Sequence, residues 1–508
     1  MKERIVFILS RGDRADFLND FCTQVSSFWN CDFSLLLAGP RPVPGPAVQR
    51  FIRKQYAGVL PNTDSNTALR SFDENGGEVQ VVVNLSHESV SHPLLQQVPE
   101  IRSTFFSERY DRFCPALAKA LSMGETHCSY TVEAMAPGKE NSSLKTGRFK
   151  VLSHSYRKSY DLHFALNLRL LLDALLLLKN GSRGTETEVK PAVVLHDKEL
   201  ADAEKKIRRA ALKHRLELLF YRVRWNIGLV ASTPEKIALD RDSRFPVKWF
   251  PEEDTNGFRA DPFGLETDGK TMILFEQFIQ GKGIISSMNS EQVVSSVLEK
   301  DVHLSYPFLF HHQDQWYCMP EQHQSGELIL YKYEASENKL TEHCTLLHRF
   351  NAVDPTLCYY NNKWWLFCTQ SDDKGADLRL YIFHSESLEG PFHPHAQNPV
   401  KTDICSARPA GPCFIHESVL YRPAQNSSIR YGGSVVIHSV DLLTEEEFQE
   451  SPVNEIHPEQ FTGPYTEGFH TLSPMGAFTL IDGKRKVFTL RNLFPLFRKK
   501  RDARIKLH

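Results

Sequence analysis

The chain has 508 residues, with 60 Lys and Arg against 62 Asp and Glu, for a formal net charge of −2. Hydrophobic residues make up 41% and charged residues 24%, which is ordinary globular usage and excludes a wholly disordered or fibrous chain. The even charge balance gives no electrostatic basis for nucleic acid as the main partner. At this length we expect two to four domains, or two if one is a large all-β unit.

The number of cysteines and the length of the apolar runs indicate the cellular compartment. Ten cysteines are too few for a disulfide scaffold, and the chain has no C-x-x-C pair that would indicate a structural zinc site. The first apolar run, residues 5–9, is shorter than the core of a secretory signal. The most apolar stretch, 166–178, contains Arg169 and Asp173 and is too short to span a bilayer. We therefore predict a cytoplasmic protein with reduced thiols, no cofactor and no metal.

The first part of the chain alternates strand-like and helix-like segments. Apolar runs predict buried strands, and longer amphipathic or apolar segments predict helices, at 5–9 (strand), 16–28 (helix), 33–38 (strand), 79–85 (strand) and 160–179 (helix). Buried strands separated by helices indicate an α/β, Rossmann-like domain with a mainly parallel sheet over residues 1–182.

The character of the chain changes after this domain. Residues 183–196 are polar and predict a linker, and 197–221 is rich in Ala, Lys, Glu, Arg and Leu and predicts a connecting helix. Short β-type segments with turn residues dominate from Trp225 onward. We therefore assign 183–221 to the connection, 222–494 to an all-β domain and 495–508 to a basic tail.

An internal repeat is the most informative pattern of the all-β domain. Five segments can be superposed, each a short apolar strand, a polar turn and a second apolar strand, and they start at Asp261, Tyr306, Asp354, Arg408 and Ser473. The starts lie 45, 48, 54 and 65 residues apart, which leaves room for two further strands in each unit. Four strands repeated five times predict a five-bladed β-propeller. An irregular β-sandwich with similar hairpins is the alternative.

The starts of the innermost strands of a propeller point to one mouth of its central channel. We therefore expect a polar cleft formed by the five repeat starts and by Arg259, Glu276, Glu321, Glu467 and His470. Carboxylates accept hydrogen bonds from hydroxyl groups, and arginine binds acidic or phosphorylated groups. This set of side chains therefore suits a polyhydroxylated ligand.

The same residue types carry out glycosyl transfer and glycoside hydrolysis, in which one carboxylate is base or nucleophile and another is acid. We assign Asp261 and Glu321 as this pair and Asp354 as a third carboxylate that tunes the pKa of its neighbour. Substrate binding is assigned to Arg259, Glu276, Tyr306, Arg408, Glu467 and His470. The alternative is structural: an Asp before Pro begins a strand, and its carboxylate caps backbone N–H groups.

Two further patterns are open to a structural and a functional interpretation. The aromatic pairs Trp316-Tyr317 and Trp364-Trp365 follow turns inside second strands, where packing between blades explains them better than sugar stacking. The basic run 497–506 is either solvated or contacts an anionic membrane or a phosphorylated glycan carrier.

Residues 222–494 resemble the N-terminal, propeller-type domain of plant glucosamine inositolphosphorylceramide glycosyltransferases. The motifs that carry the resemblance are RADPFG (259–264), LSYPFLF (304–310), MPEQ (319–322), VDPTL (353–357) and SARPAGP (406–412). The architecture is also similar to five-bladed glycoside hydrolases, and this similarity implies the base role for Asp261 and the acid role for Glu321. The plant proteins carry a separate transferase domain after the propeller. This chain ends without one, so we do not expect their activity to carry over directly.

Residues 1–182 resemble a formyltransferase domain, in which an Asn, a His and an Asp move a formyl group from a folate onto an amine. The resemblance is carried by VVVNLSHE (81–88), RSTFFSERY (102–110), SYTVEAM (129–135) and the stretch 153–178. The segment that holds the Asn-x-His motif reads Phe105-Phe106-Ser107-Glu108 here. Glu108 and His127 are polar but lie outside the family pattern. The resemblance therefore implies a degenerate, structural or substrate-docking domain.

Together these patterns predict a carbohydrate-active protein of surface-glycan or glycolipid assembly, whose propeller binds and transfers a sugar. The expected partners are a sugar nucleotide, an oligosaccharide or a lipid-linked sugar, a partner glycosyltransferase, and a membrane surface contacted through the tail. A glycoside hydrolase acting on free oligosaccharide and a non-catalytic glycan-binding scaffold are the alternatives. An amino-sugar formyltransferase fits least.

Overall fold

The computed structural model describes residues 3–11, 17–40, 45–55, 70–71, 79–86, 95–109, 112–135, 141–181, 185–186, 193–252, 257–267, 270–372 and 375–490. Its contacts divide the chain into two units, Met1–His214 and Arg215–His508. The basic tail 495–508 and most of the predicted linker 183–196 lie outside the described residues.

The first unit is a sheet with helices between its strands. The strands are β1 (Glu3–Arg11), β2 (Cys31–Pro40), β3 (Arg70–Ser71), β4 (Val79–Asn84), β5 (Glu100–Ser103), β6 (His127–Met135), β7 (Ser142–Lys150) and β8 (Thr185–Glu186). The helices are α1 (Leu18–Ser26), α2 (Pro46–Gln55), α3 (Thr104–Glu108), α4 (Pro115–Met123) and α5 (Tyr156–Lys179). Helix α6 (Asp197–Phe220) follows, one residue shorter than the predicted connecting helix.

The sheet of the first unit has the order β3-β2-β1-β4-β5-β6-β7-β8. Strands β1 to β5 pair in parallel, but β6, β7 and β8 pair antiparallel. The expectation of a mainly parallel, Rossmann-like sheet is therefore wrong for its second half. The connection from β6 to β7 is short, and a short connection permits only antiparallel pairing.

The second unit is almost entirely β. After β9 (Tyr221–Val230), the short helix α7 (Pro234–Leu239) and β10 (Val247–Trp249), it continues through β11 (Phe258–Thr267), β12 (Lys270–Ile279), β13 (Lys282–Asn289), β14 (Val294–Leu298), β15 (Ser305–His312), β16 (Gln315–Glu321), β17 (Glu327–Glu334), β18 (Lys339–His348), β19 (Ala352–Tyr360), β20 (Lys363–Gln370), β21 (Arg379–Ser385), β22 (His393–Pro394), β23 (Lys401–Asp403), β24 (Phe414–His416), β25 (Val419–Asn426), β26 (Ser434–Leu443), β27 (Phe448–Ile456), β28 (Leu472–Met475) and β29 (Phe478–Phe488).

These strands form a propeller-like set of antiparallel sheets, as predicted. Four sheets have four strands each: β11 to β14, β15 to β18, β24 to β27, and β10-β9-β29-β28. The third repeat lies in a meander of β19, β20 and β21, to which β22 and β23 add short pairings. The last strand, β29, pairs with the first, β9, from Phe488↔Tyr221 to Thr479↔Val230. This pairing closes the ring of sheets.

The first three repeats share an unusual backbone at their start. Asp261, Tyr306 and Asp354 each precede a proline and have positive φ values of 52°, 41° and 46°. The register of each hairpin shifts at the same place, because a bulge interrupts the ladder. Arg408 and Ser473 do not share the positive φ. Left-handed backbone is uncommon outside glycine and costs free energy, so surrounding contacts must hold these three positions.

Apolar clusters fill the spaces between neighbouring sheets. The largest runs from the sheet of β11 through that of β15 to β19 and β20, and includes Phe263, Tyr306 and Trp364. Trp365 lies in a second cluster between β20 and the β24 to β27 sheet. The packing interpretation of Trp364-Trp365 is therefore confirmed. Among the described residues, no helix has the length and apolarity needed to cross a membrane.

Candidate functional site

Three carboxylates accept the backbone N–H groups that the bulges leave without a ladder partner. The N–H of Asp261 donates to Asp482 Oδ2 over 3.2 Å. The N–H of Tyr306 donates to Asp261 Oδ2 over 3.2 Å. The N–H of Asp354 donates to Glu321 Oε2 over 3.1 Å. Each acceptor belongs to the preceding sheet. The capping alternative is therefore observed for Asp261 but not for Asp354, whose carboxyl group contacts Arg408 and Gln425. The three capping carboxylates link neighbouring sheets.

Asp261, Asp482 and His470 form a compact buried group. His470 Nδ1 lies 2.5 Å from Asp482 Oδ2 and 3.6 Å from Asp261 Oδ1, and Thr471 Oγ1 donates to Asp261 Oδ1 over 2.8 Å. Burial raises the pKa of Asp261, although His470 opposes this effect. Burial would also raise the pKa of Asp482, but its interactions with His470 keep that pKa below its ordinary value.

The same three side chains are the one group with metal-ligand chemistry in the described part of the chain. Their ligand atoms lie within 4.8 Å of one another. Those atoms already bond to each other and to Thr471, so a cation would have to replace hydrogen bonds that the fold makes. The arrangement therefore fits a hydrogen-bonded triad better than a metal cage.

Arg408 is the centre of the other half of the site. Its Nε and Nη2 contact the two oxygens of Asp354 at 2.6 and 3.1 Å, and its Nη1 contacts Asp377 Oδ1 at 2.6 Å. Glu321 Oε2 lies 3.7 Å from Nη2. Gln425 Nε2 donates to Asp354 as well. One buried guanidinium thus faces three carboxyl groups. Burial nevertheless raises the pKa of Asp354 well above its ordinary value, although the charge of Arg408 opposes this effect.

Glu321 is held in its charged form. Burial alone would raise its pKa, but a 2.7 Å hydrogen bond with His323 Nδ1, the charge of Arg408 and a side-chain hydrogen bond with Asp354 lower the pKa to about 2. A carboxyl group with such a pKa has no proton to donate at neutral pH. The assignment of Glu321 as a general acid therefore does not fit its surroundings.

Glu276 occupies the same repeat position as Glu321 but has the opposite electrostatic environment. Burial raises its pKa well above the ordinary value, and the nearby carboxylates of Asp261, Glu321 and Asp354 add to the effect. Among the described residues its polar partner is His303, whose Nε2 lies 3.3 Å from Glu276 Oε1. The pKa of Glu276 is therefore raised, whereas that of Glu321 is lowered, although the two residues occupy the same place in the repeat.

The tautomer of His303 follows from its second contact. His303 Nδ1 accepts the N–H of Gly283 over 2.9 Å, so the ring proton is on Nε2 and faces Glu276. The His303 side chain is about a quarter exposed, whereas Glu276 is 9% exposed. His303 therefore lies between the buried carboxyl group and solvent.

Replacing Glu276 with Gln should stabilise the protein, and the gain should grow with pH. Gln has the shape and neutrality of protonated Glu. The pKa of Glu276 is higher in the folded than in the unfolded chain, so the wild-type protein loses stability as pH rises above the unfolded value of about 4.3. Each 1 kcal/mol of difference should shift Tm by roughly 2–4 °C.

Thermal melts between about pH 4 and pH 8 measure this effect. Glu291→Gln is the matched control, because it makes the same change at an exposed site. A Glu276→Gln difference that is constant over the whole pH range would contradict a raised pKa.

An exposed aromatic ring borders the buried charges. Tyr431 is 40% exposed, its ring centroid lies 5.1 Å from Arg408 Cζ, and it makes an edge contact with His470 at 5.3 Å. Trp225 stacks on His470 at 4.0 Å and makes an edge contact with Tyr431 at 6.2 Å, and Lys484 Nζ lies 5.8 Å from the Tyr431 ring centroid. A partly exposed aromatic ring beside convergent polar groups is typical of a ligand site.

The structure brings together most of the predicted site residues: Asp261, Glu276, Glu321, Asp354, Arg408 and His470. Three residues that we predicted to bind substrate, Glu467, Arg259 and Tyr306, contact other protein side chains or backbone groups instead. Glu467 pairs with Arg430 and, over 3.2 Å, with Lys486. The Arg259 guanidinium lies over the Phe275 ring at 5.6 Å.

Tyr306 and Ser473 have structural contacts instead of facing an open cleft. The Tyr306 hydroxyl accepts the Gly411 N–H over 2.8 Å and bonds Thr356 Oγ1 over 2.9 Å. Ser473 Oγ donates to the Pro262 carbonyl. Both side chains are fully buried, so they join inner strands of different sheets.

Several site residues were missed from the sequence: His303, His323, Asp377, Gln425, Tyr431 and Asp482. Asp482 had a usable signal, because it is a lone acidic residue in the apolar run of the last repeat. The two histidines and Tyr431 lie in connections outside the repeat, where the pattern carries no information.

The other halves of the inner strands line a separate apolar cavity of about 820 Å³. Its walls include Phe263, Phe308, Trp364, Phe414 and Met475. The channel therefore has a polar end that holds the carboxylates and an apolar end that holds aromatic side chains.

Residues 235–466 match the family model for the N-terminal region of glucosamine inositolphosphorylceramide transferase 1. The protein of that name from Oryza sativa subsp. japonica is 35% identical over 212 residues, and the one from Arabidopsis thaliana is 29% identical over 211. The rice match covers 39% of this chain and 28% of the relative, so the similarity concerns under a third of the relative's length. The family match lies outside residues 1–182, for which the formyltransferase resemblance stays a prediction.

Solved glycoside hydrolase structures are also similar at low identity. The α-L-arabinofuranosidase PaAbf62A from Podospora anserina has a TM-score of 0.35 and 10% identity, covering 47% of this chain and 82% of that one. The family 117 glycoside hydrolase Zg3597 from Zobellia galactanivorans has a TM-score of 0.33 and 11% identity, covering 53% and 91%.

Proposed function

We propose that the polar end of the second unit binds a sugar-containing ligand and acts on it by glycosyl transfer, with Glu276 as the proton donor. The observation that carries this proposal is the split between the carboxyl groups. Asp261, Glu321 and Asp482 each cap a strained backbone N–H, whereas Glu276 contacts His303 and has a pKa raised by burial and by the neighbouring carboxylates. A buried, protonated carboxyl beside ionised ones has the arrangement that glycosyl chemistry needs.

Asp261 is the proposed partner carboxylate. Burial raises its pKa, which makes the ionised form a stronger base, and His470 keeps it oriented. Arg408 and Asp354 then form a fixed charged wall beside the ligand. Tyr431 offers its exposed ring to a sugar face.

The family match supports a glycan or glycolipid context, because the relatives are named glucosamine inositolphosphorylceramide transferase 1. We propose a sugar nucleotide or a lipid-linked sugar as the ligand class, in surface-glycan or glycolipid assembly. We also propose that the propeller has five blades, that the protein is cytoplasmic and that it acts with a partner glycosyltransferase.

A panel of nucleotide sugars, free oligosaccharides and folates tests it on the full chain. Ligand binding is measured by calorimetry, and product is measured by mass spectrometry. Tyr431→Ala should weaken sugar binding by roughly 1–2 kcal/mol through the lost ring face. Glu276→Gln should keep binding within a few-fold and lower turnover by about 10²–10⁴-fold. Glu291→Gln is again the control.

The outcomes separate the possible activities. Release of a reducing sugar with water as acceptor identifies a hydrolase, and a requirement for an activated donor identifies a transferase. Unchanged turnover in Glu276→Gln would contradict the proton-donor role. Binding of folates with no sugar binding would place the function in residues 1–182.

A non-catalytic glycan-binding module is the second candidate. It is favoured by the capping contacts, which give Asp261 and Glu321 a structural use without chemistry. Sugar binding that Tyr431→Ala weakens, with no product from any donor or acceptor, would identify this function.

A further inference from the structure

Helix α6 carries an apolar stripe on a side that the fold leaves exposed. Its buried residues, Leu200, Ala203 and Ile207, lie on one side. Leu212 and Leu216 lie on the opposite side and are 61% and 45% exposed. At 100° per residue these two leucines and the half-buried Leu219 fall within an arc of roughly 60°. Aliphatic side chains seldom group in solvent in this way without a partner.

Cations flank the stripe on both sides. Arg208 and Arg215 lie along one edge, and Arg209 and Lys213 lie along the other; all four are exposed. Arg208 lies 4.0 Å from Glu204, with its side chain 78% exposed. Within 205–224 the chain has eight Lys and Arg and a single acidic residue, in a protein whose net charge is −2. The positive charge is therefore concentrated here.

Exposed apolar side chains also lie at the end of α6 and at the start of β9. Leu218, Tyr221 and Val223 are 62%, 42% and 50% exposed, and Phe488 is 61% exposed. The Phe488 ring stacks on Phe220 at 6.1 Å and contacts Tyr221 edge-on at 5.9 Å. The end of α6 and the first residues of β9 thus present leucines and aromatic rings together.

We propose that this α6 surface, formed by Arg208, Arg209, Leu212, Lys213, Arg215 and Leu216, binds the face of an anionic lipid bilayer. Cations attract the acidic headgroups, and the central leucines enter the boundary between headgroups and acyl chains. Nucleic acid is the less suitable partner, because its phosphates would leave the exposed leucines in water. A lipid-carried sugar would then meet the protein in the plane of the membrane.

Vesicle flotation with the full chain tests the proposal without any sugar chemistry, so its result is independent of the proposed function. The probes are vesicles of phosphatidylcholine alone and of phosphatidylcholine with about one third phosphatidylglycerol. The wild-type protein should float with the anionic vesicles only, and less at high salt. Arg208→Glu/Arg209→Glu should weaken partitioning by about 30-fold or more. Leu212→Ser/Leu216→Ser should also weaken it.

The controls make matched changes elsewhere. Lys248→Glu/Lys339→Glu alters the net charge by the same amount at exposed sites, and Val293→Ser removes an exposed apolar side chain. Both should bind as the wild-type protein does. Unchanged thermal melts of the α6 variants exclude misfolding.

Four results would overturn the proposal. The first is no binding to anionic vesicles, and the second is binding by the α6 variants that equals that of the wild-type protein. The third is tighter binding to duplex DNA, which the leucine changes leave unaltered. The fourth is a dimer in solution that Leu212→Ser/Leu216→Ser dissociates. Loss of binding in Lys499→Glu/Lys500→Glu, with the α6 variants unaffected, would assign the membrane contact to the basic tail instead.

Discussion

Replacing Arg408 with Met should lower the free energy of unfolding by about 3–5 kcal/mol. Met keeps most of the side-chain volume but removes the charge that faces Asp354, Asp377 and Glu321. Asp354 is 1% exposed, burial already raises its pKa well above the ordinary value, and without Arg408 its carboxyl group would lose the cation that opposes this effect. Chemical denaturation at neutral pH measures the loss.

Two further variants test whether the loss of stability comes from the buried charge of Arg408. Lys339→Met removes an exposed cation and should change the stability by less than about 0.5 kcal/mol. Arg408→Lys keeps the charge but cannot contact both oxygens of Asp354, so its loss should be intermediate. If Arg408→Met were no less stable than Lys339→Met, the guanidinium would not be the counter-ion of the site.

Replacing Arg422 with Met should have an effect of similar size, about 3–5 kcal/mol. Arg422 is 1% exposed, and its Nε and Nη2 contact Glu450 at 2.8 and 2.7 Å. It also donates to the carbonyls of Ser406 and Ala407. The change would leave the buried Glu450 carboxylate without the Arg422 charge. The two backbone carbonyls would lose their Arg422 hydrogen bonds in the interior.

The double variant Arg422→Met/Glu450→Met separates the charge effect from the packing effect. Removing both charges should restore part of the stability, because a buried pair replaced by apolar groups of similar volume is often neutral. The restoration should be incomplete, since Lys401 also contacts Glu450 at 2.6 Å and would keep Asp403, at 3.7 Å, as its remaining anionic partner beside His438 Nε2, at 3.4 Å. A double variant less stable than Arg422→Met would contradict the charge explanation.

The two arginines are linked through the backbone. Arg422 holds the carbonyls of Ser406 and Ala407, which directly precede Arg408. The effects of Arg408→Met and Arg422→Met should therefore be less than additive, because either change releases the same segment. Strict additivity would show that Arg408 is positioned without this support.

The repeat made the hairpins and the convergence of their polar starts predictable. The equal spacing of Asp261, Tyr306 and Asp354 from their second strands already implied equivalent places in three sheets. The left-handed backbone at these positions was not predictable, since Tyr and Asp before Pro ordinarily adopt extended backbone. It depends on the carboxylates of neighbouring sheets, which are far away in the chain.

The pair Glu276 and Glu321 shows why the sequence could not distinguish which of two equivalent carboxyl groups would be the acid. The two residues are equivalent in the repeat, and sequence position alone gives them the same chemistry. Their pKa values differ because of partners that the repeat does not contain: His323 and Arg408 stabilise the charge of Glu321, while Glu276 is surrounded by carboxylates. Sequence patterns place side chains, whereas ionisation depends on which charges surround them.

The pairing of β29 with β9 has a consequence for synthesis in the cell. Roughly 250 residues separate the end of β9 from the start of β29, and at about 5–20 residues per second the ribosome needs roughly 12–50 s to make them. During that interval β9 has no β29 beside it and exposes an unpaired edge, which other chains can bind. The yield of soluble protein should therefore depend on chaperones that cover this strand until the last one leaves the ribosome.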